Sequence, residues 1–370
     1  LGFTAILLAG AFFFVRINPA CRQNLAVHHA QYQELAEALS EGKVSVGDAE
    51  EALLAMKNPY DTIALQAAGI GYRADYAYHN GKYYVYFGIV PVLLLYLPYY
   101  LLTGGALQNY VAVFVFFAGF IIAAAGFVYE LMKRYFKDQP FYLWAVGTGM
   151  FVGSYSMFYL LIRPDLYHVP IVASAMFATG GLWLYLAGLN RPKKAVGLYA
   201  FGSFCMALTA GCRPQFILFA ALAVVLFWER VFVKRELFSK KGWRQTAALV
   251  VPYVLTAAGL MAYNALRFGS PFDFGASYSM TSNDMTHRGT NLERILYGIW
   301  YFLFEPMQME GKFPYLQSAS IATDYLGKLV TESWFGGIFA CSMLTWGIFL
   351  LGRLKKNGVL SKELTWFCCV

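Results

Sequence analysis

Runs of about 20 consecutive apolar residues recur along the chain, and no other feature limits its fold so strongly. A helix rises about 1.5 Å per residue, so about 20 such residues cross the ~30 Å hydrocarbon core of a bilayer. Inside that core every backbone N–H and C=O must be paired within the protein, which leaves helices as the simplest solution. The runs fall at 107–131, 141–162, 166–189, 195–211, 216–233, 247–266 and 334–351, with a partial run over 1–15. Composition agrees: 59% of the 370 residues are hydrophobic and only 14% charged, with mean hydropathy +0.49. No soluble domain needs so much apolar sequence. The predicted fold class is an all-α polytopic membrane protein. It forms one transmembrane domain over 1–370, with two large extracytoplasmic loops, 16–88 and 268–333, each bearing an interfacial helix. The chain begins inside one apolar run and stops as another begins, so it reads as a window on a longer protein.

The net charge of +8 raises the question of nucleic acid, and its distribution answers it. Basic clusters follow alternate runs: Lys133, Arg134 and Lys137; Arg191, Lys193 and Lys194; the linker 230–244; and Arg353, Lys355 and Lys356. The positive-inside rule places these on the cytoplasmic side. That side carries 16 Lys and Arg against 5 Asp and Glu, and the other side 13 against 16. The excess is an orientation signal, and no nucleic-acid partner follows from it. For both large loops to lie outside, 85–131 must cross an odd number of times. Segment 85–103, with Pro91, Pro98 and many tyrosines, is therefore expected to be re-entrant or interfacial. The six cysteines show no CxxC or other ligand spacing and read as packing residues.

Most of the soluble-looking sequence lies in 16–88. Tyr32, Leu35, Ala36 and Leu39 recur at helical spacing with Glu34, Glu37 and Glu41 opposite, which predicts an amphipathic helix on a bilayer surface, ended by Gly42. Asn80-Gly81 predicts a turn leading into an aromatic belt of Tyr83, Tyr84 and Tyr86. In the second loop Leu292, Ile295, Leu296, Ile299 and Leu303 form another stripe, with Asn291 as cap and Pro306 beyond the end. All five histidines, 28, 29, 79, 168 and 287, fall on the outer side of this topology. Histidine transfers protons and binds metals near neutral pH, so the outer face is where a reaction centre is expected.

Four segments, in order, carry a resemblance. They are Ala30-x-Tyr32-x-x-Leu35-Ala36-x-x-Leu39-x-x-Gly42, the proline- and tyrosine-rich 87–103, Arg163-Pro164-Asp165, and Ala207-Leu-Thr-Ala-Gly-Cys-Arg213-Pro214. Together they resemble the GT-C-fold membrane glycosyltransferases, in the branch of protein O-mannosyltransferases and aminoarabinose transferases. The resemblance implies a GT-C-like helix bundle in the plasma membrane. It implies a polyprenyl-phosphate sugar donor used at the outer face, and a glycan, lipid or protein acceptor. Where that family places Asp-Glu before the first motif, this chain has His28-His29, which marks a divergent branch or an inactive one.

Such a transfer needs a base for the acceptor hydroxyl, and cations or a metal to neutralise the departing phosphate. Phosphate already leaves as a good anion, so a second carboxylate is dispensable. The candidate bases are Asp75, Asp61, His28 and His29; for Asp61, after Asn58-Pro59-Tyr60, a turn-forming role competes. The phosphate candidates are Lys82, Arg163, Arg213 and Arg267, each at a predicted outer boundary where snorkelling is the alternative. Asp165 and His168 are spaced to share a divalent metal, or simply to cap the next span. If the cations hold a phosphate, at least three should line one outward cavity. Two other function classes stay open: a transporter or flippase of lipid-linked glycans, disfavoured by the scarcity of mid-span charges and of any internal repeat, and an inactive protein that only binds such lipids.

Overall fold

The computed structural model describes residues 2–17, 30–153, 157–162, 164–240, 242–281, 284–287, 292–311, 316–317, 319–325, 328–334, 336–358 and 364–365. The chain forms two compact units, Leu1–Asn283 and Asp284–Cys369.

The first unit is a helix bundle capped by a folded loop. Helix α1 spans Gly2–Ile17, and within the loop that follows lie α2, Gln31–Ser40, and a short α3, Thr62–Ala67. Five helices are then long and apolar enough to cross a membrane: α4 Asn109–Tyr135, α5 His168–Asn190, α6 Pro192–Cys212, α7 Pro214–Val233 and α8 Trp243–Phe268. The run at 141–162 is represented by Tyr142–Gly153 and Met157–Ile162. Helix α5 packs against both α4 and α6, parallel to α4 (Gly119 meets Met176 and Gly126 meets Trp183) and antiparallel to α6, and α6 packs against α8. Where α5 meets α6, a Cβ on Gly181 would lie 2.9 Å from the Gly202 carbonyl oxygen, so this crossing needs glycine on both sides. The windows of α7 and α8 are only 11% and 6% buried within the chain, leaving Val250, Val254, Leu255 and Leu266 exposed. Surfaces so apolar are stable only against something as apolar as lipid.

Segment Ile89–Thr103 is helical but too short to span. Pro98 supplies no N–H, and the five residues before Leu97 widen into a π-turn, Val92–Tyr96. Both parts of the segment stay at the loop end of the bundle. The Gly88 N–H donates to the Cys212 carbonyl (2.9 Å) where α6 ends, and the Tyr96 hydroxyl donates to Asn109 Oδ1 (2.7 Å) where α4 begins.

Helix α2 forms where its stripe predicts and stops at Gly42, but the stripe does not face a bilayer. Tyr32, Leu35 and Ala36 are fully buried against Ile89–Thr103, the Tyr32 hydroxyl donates to the Leu166 carbonyl (2.8 Å), and Gln33 Nε2 donates to the Leu107 carbonyl (2.7 Å). An amphipathic pattern records only that one face is apolar, and here protein covers it before lipid can.

Beyond α2, the loop contains a small antiparallel sheet that an all-α expectation omits: β1 Gly47–Asp48, β2 Ala77–His79 and β3 Lys82–Tyr84, in the order β1-β3-β2. Asn80 and Gly81, with φ of 49° and 79°, form the two-residue turn that right-handed strand twist favours. The tyrosines after it are not an interfacial belt: Tyr83 is buried, and Tyr84 is buried against Phe268 at the end of α8.

In the second unit, α9 Glu293–Leu303 matches the predicted stripe and leaves Leu292, Ile295, Leu296 and Ile299 exposed. Asn291 lies outside the described residues. Strands Ala319–Tyr325 and Lys328–Trp334 then pair in an unpredicted hairpin. The expected span over 334–351 is not one helix. Helix Ile338–Cys341 ends at an extended Ser342, and Met343–Leu350 continues as a 3-10 turn. The Thr345 N–H and hydroxyl both donate to the Ser342 carbonyl, a local alternative to the helical ladder.

Candidate functional site

The best-defined polar centre lies where the first loop meets the bundle, and it is assembled from segments distant in sequence. Arg73 starts it: its guanidinium pairs with Glu34 on α2, stacks 4.0 Å over the Tyr76 ring and donates to the Val46 carbonyl (3.1 Å). The Tyr76 hydroxyl also donates to Glu34 (2.8 Å). Burial, then the Glu34 charge, lifts this phenol far above its ordinary value, so it stays a donor. The chain between these anchors is consequently fixed, with Asp75 inside it.

Asp75 is one of three non-glycine residues at positive φ among the described residues (60°), a conformation that costs about 1–3 kcal/mol and persists only where surroundings impose it. They do so through the segment after α8. The Asp75 N–H donates to the Met280 carbonyl (2.9 Å), the Met280 N–H to the Tyr76 carbonyl (2.8 Å), and the Thr62 hydroxyl to the Thr281 carbonyl (2.9 Å). The Asp75 carboxylate accepts from the Tyr167 hydroxyl at 2.6 Å, the short range of charge-assisted bonds. Tyr167 stands at the start of α5, beside Tyr86 and 5.7 Å from the Phe87 ring. Burial first, and its bond to Asp75 second, raise the Tyr167 hydroxyl well beyond the usual phenol range.

Tyr86 and Phe87 also line a cleft, with Gly211, Pro214, Leu260, Tyr263, Asn264 and Arg267 around them. Its enclosed space takes about one water or hydroxyl, within a cleft of about 250 Å³ that opens to solvent. Arg267 is only 4% exposed. Its guanidinium donates to the Val85 carbonyl (2.6 Å) and to Asn264 Oδ1 (2.7 Å) and lies 3.9 Å over the Tyr263 ring. No ion pair reaches it among the described residues, and its Nε and the Tyr263 hydroxyl have no hydrogen-bond partner. Arg213 borders the same place: its guanidinium sits 5.2 Å over the Phe87 ring and its charge acts on the Tyr86 hydroxyl. Two of the four candidate cations thus meet around one cleft. Lys82 is exposed on β3, away from the lining, and Arg163 lies outside the described residues.

The other candidates are placed plainly. Asp61 caps α3, accepting from the Ala64 N–H (3.1 Å), which is the turn-forming role. Asp165 Oδ1 accepts the N–H groups of Tyr167 (3.0 Å) and His168 (3.2 Å) and lies 3.1 Å from His168 Nδ1, so the pair caps α5. Among the described residues no group of three His, Cys, Asp or Glu side chains is arranged to hold a metal. His28 and His29 lie outside the described residues. His79 packs its ring 4.6 Å from that of Tyr278. Sequence reading placed Tyr86 only in an aromatic belt and passed over Tyr167 and Asn264. Nothing marks two tyrosines among 27, although Tyr167 stands only two residues from the noted Asp165.

Five membrane-length helices, with a polar cleft under a folded loop, define a helical membrane protein. Comparison of the chain with protein-family models, with curated proteins and with solved structures gave no match.

Proposed function

We propose that the chain is a plasma-membrane glycosyltransferase of GT-C type. It moves a sugar from a polyprenyl-phosphate donor to an acceptor hydroxyl at the outer face. Arg267, helped by Arg213, holds the donor phosphate, and Asp75 serves as the base. One observation carries this reading: a buried guanidinium, acted on by the Asp273 charge but with no carboxylate in ion-pair contact among the described residues, faces a cleft adjoining a held carboxylate. Burying a charge with no counter-charge in contact costs several kcal/mol, and an anion in the cleft offsets that cost. Asp75 suits the base role because its backbone is held in a conformation that folding alone disfavours.

The test is sugar transfer from radiolabelled polyprenyl-phosphate sugars in membranes containing the protein. Asp75→Asn should lower kcat by about 10²–10⁴-fold. Asp61→Asn, a cap substitution, should leave transfer close to wild type. Arg213→Gln, at a half-buried position where misfolding is a smaller risk than at Arg267, should raise the donor KM several-fold. Full transfer by Asp75→Asn would sink the assignment of the base. Donor binding without turnover would select a lipid-binding protein, the reading that His28-His29 favours, and lipid movement across the bilayer without transfer would select a translocator.

A further inference from the structure

At the end of the bundle away from the cleft, the linker from α7 to α8 folds around Arg230. Its guanidinium donates to the Tyr199 hydroxyl on α6 (2.9 Å), to Gln245 Oε1 on α8 (2.6 Å) and to Glu236 (2.9 Å), which ties the ends of three helices together. Lys234 pairs with Glu229 (3.0 Å). Leu237 is buried, and Gly242 passes so close that a Cβ on it would lie 2.1 Å from the Glu236 carbonyl oxygen. Both acids of the linker are thus taken up by internal pairs. Three of its cations are not. Arg235, Lys240 and Arg244 are exposed, and none forms an ion pair with a described residue. Arg235 stands at φ +50°, a conformation that persists only where surroundings impose it. Its two neighbours, Lys234 and Glu236, are the residues those pairs tie down, and Arg235 is left in the open between them.

Exposed rings flank these cations. Trp228 and Phe232 stand at the end of α7 with ring centroids 4.4 Å apart, and Trp243 opens α8 with the Arg244 guanidinium 5.8 Å over its ring. Each of the three rings is more than half exposed. The apolar faces of α7 and α8 lead straight to them, so the bilayer sets their depth: the rings lie where acyl chains meet headgroups, and the cations at the level of the phosphates. A soluble anion would meet the charges and leave the rings in water, whereas a phospholipid covers both. We propose that the linker 229–244 is a binding site for an anionic phospholipid of the leaflet on its side, the cytoplasmic one under the proposed orientation. Arg235, Lys240 and Arg244 hold the headgroup phosphate, and Trp228, Phe232 and Trp243 lie against the glycerol end of the chains. The site owes nothing to the glycosyl-transfer reading. A lipid bound there bridges α7 and α8, two helices that the rest of the chain barely covers, and so favours the folded state by mass action.

The experiment melts the full chain in a neutral detergent with phosphatidylglycerol, with phosphatidylcholine of the same acyl chains, or with inorganic phosphate. Phosphatidylglycerol should raise Tm by several degrees, and the other two should leave it near the lipid-free value. The triple variant Arg235→Gln/Lys240→Gln/Arg244→Gln should melt like wild type without lipid. It should need about 100-fold more phosphatidylglycerol for the same rise, because each cation beside an anionic headgroup contributes about fivefold in affinity. Each single variant should need about fivefold more, which decides the question even where the triple folds poorly. Lys133→Gln/Lys137→Gln, two exposed lysines after α4 at the same end of the bundle, should keep the wild-type response. A wild-type response in the triple and single variants would overturn the site, and so would an equal loss in the Lys133/Lys137 variant, which would mean diffuse surface charge. An equal rise with phosphatidylcholine would reduce the effect to apolar cover, and an equal rise with inorganic phosphate would replace the lipid by a soluble anion; either result overturns the proposal.

Discussion

Single charged residues in this protein are worth what their surroundings make them worth. Glu130 shows it away from the cleft. Its carboxylate, 2% exposed inside α4, accepts from Asn190 (2.8 Å) and pairs with Arg191, itself 38% exposed. A buried pair broken from one side costs about 3–5 kcal/mol, and an exposed one under about 1. With one partner half in solvent, Arg191→Met should cost about 2 kcal/mol and lower Tm by several degrees. Adding Glu130→Gln should recover most of the loss. A Tm within a degree of wild type for Arg191→Met would show that Asn190 suffices. The same reasoning separates the two loop aspartates. Asp61 spends its carboxylate on one N–H of a short helix, whereas Asp75 turns its carboxylate to a buried phenol while its backbone is held by another segment. Both are plain loop aspartates in the sequence, and only their partners distinguish them.

At the scale of elements, the loop end is built by segments that lock one another. Gly88 is one tight point. Its φ is +84°, and a Cβ there would lie 2.4 Å from the Tyr32 ring, which α2 buries beneath it. Gly104 has φ +67° with nothing within 4 Å. Gly104→Ala should therefore cost only the conformational strain, about 1–2 kcal/mol, and Gly88→Ala that strain plus the displacement of Tyr32. Melting in detergent should place Gly88→Ala clearly below Gly104→Ala, and equal losses would mean that the Tyr32 contact is easily given up. Both amphipathic helices were legible from period alone, yet they end differently. The stripe of α2 is covered by protein, while that of α9 stays exposed in its own unit. A stripe fixes which residues need cover, and the three-dimensional neighbours decide what provides it.

The molecule as a whole carries its topology as a testable claim. Within Leu1–Asn283, residues on either side of the membrane-length helices come together: the segment after α8 pairs with the strand that follows Asp75, through Ala77 and Ser279. Cysteines at Asp48 and at exposed Phe272 should thus label with a membrane-impermeant reagent from the same side, the outer one under the proposed orientation. Labelling from opposite sides would dismantle the site. What the sequence by itself determined is the part governed by local pattern and by solvent. Apolar runs of sufficient length favour helices in a bilayer, alternate basic clusters supply an expected orientation, and Asn80-Gly81 must turn. Segment 85–103 was legible as irregular because proline removes donors wherever it stands. Tertiary structure alone decided that α2 faces protein, that Ser342 interrupts the last apolar run, and that Arg267 rather than Lys82 reaches the cleft. It alone brought Asp75, Tyr167 and Tyr86 together from three segments. Burial and convergence are properties of chain parts far apart in sequence, and the energy of a charge or a hydroxyl is set by what those distant parts place beside it.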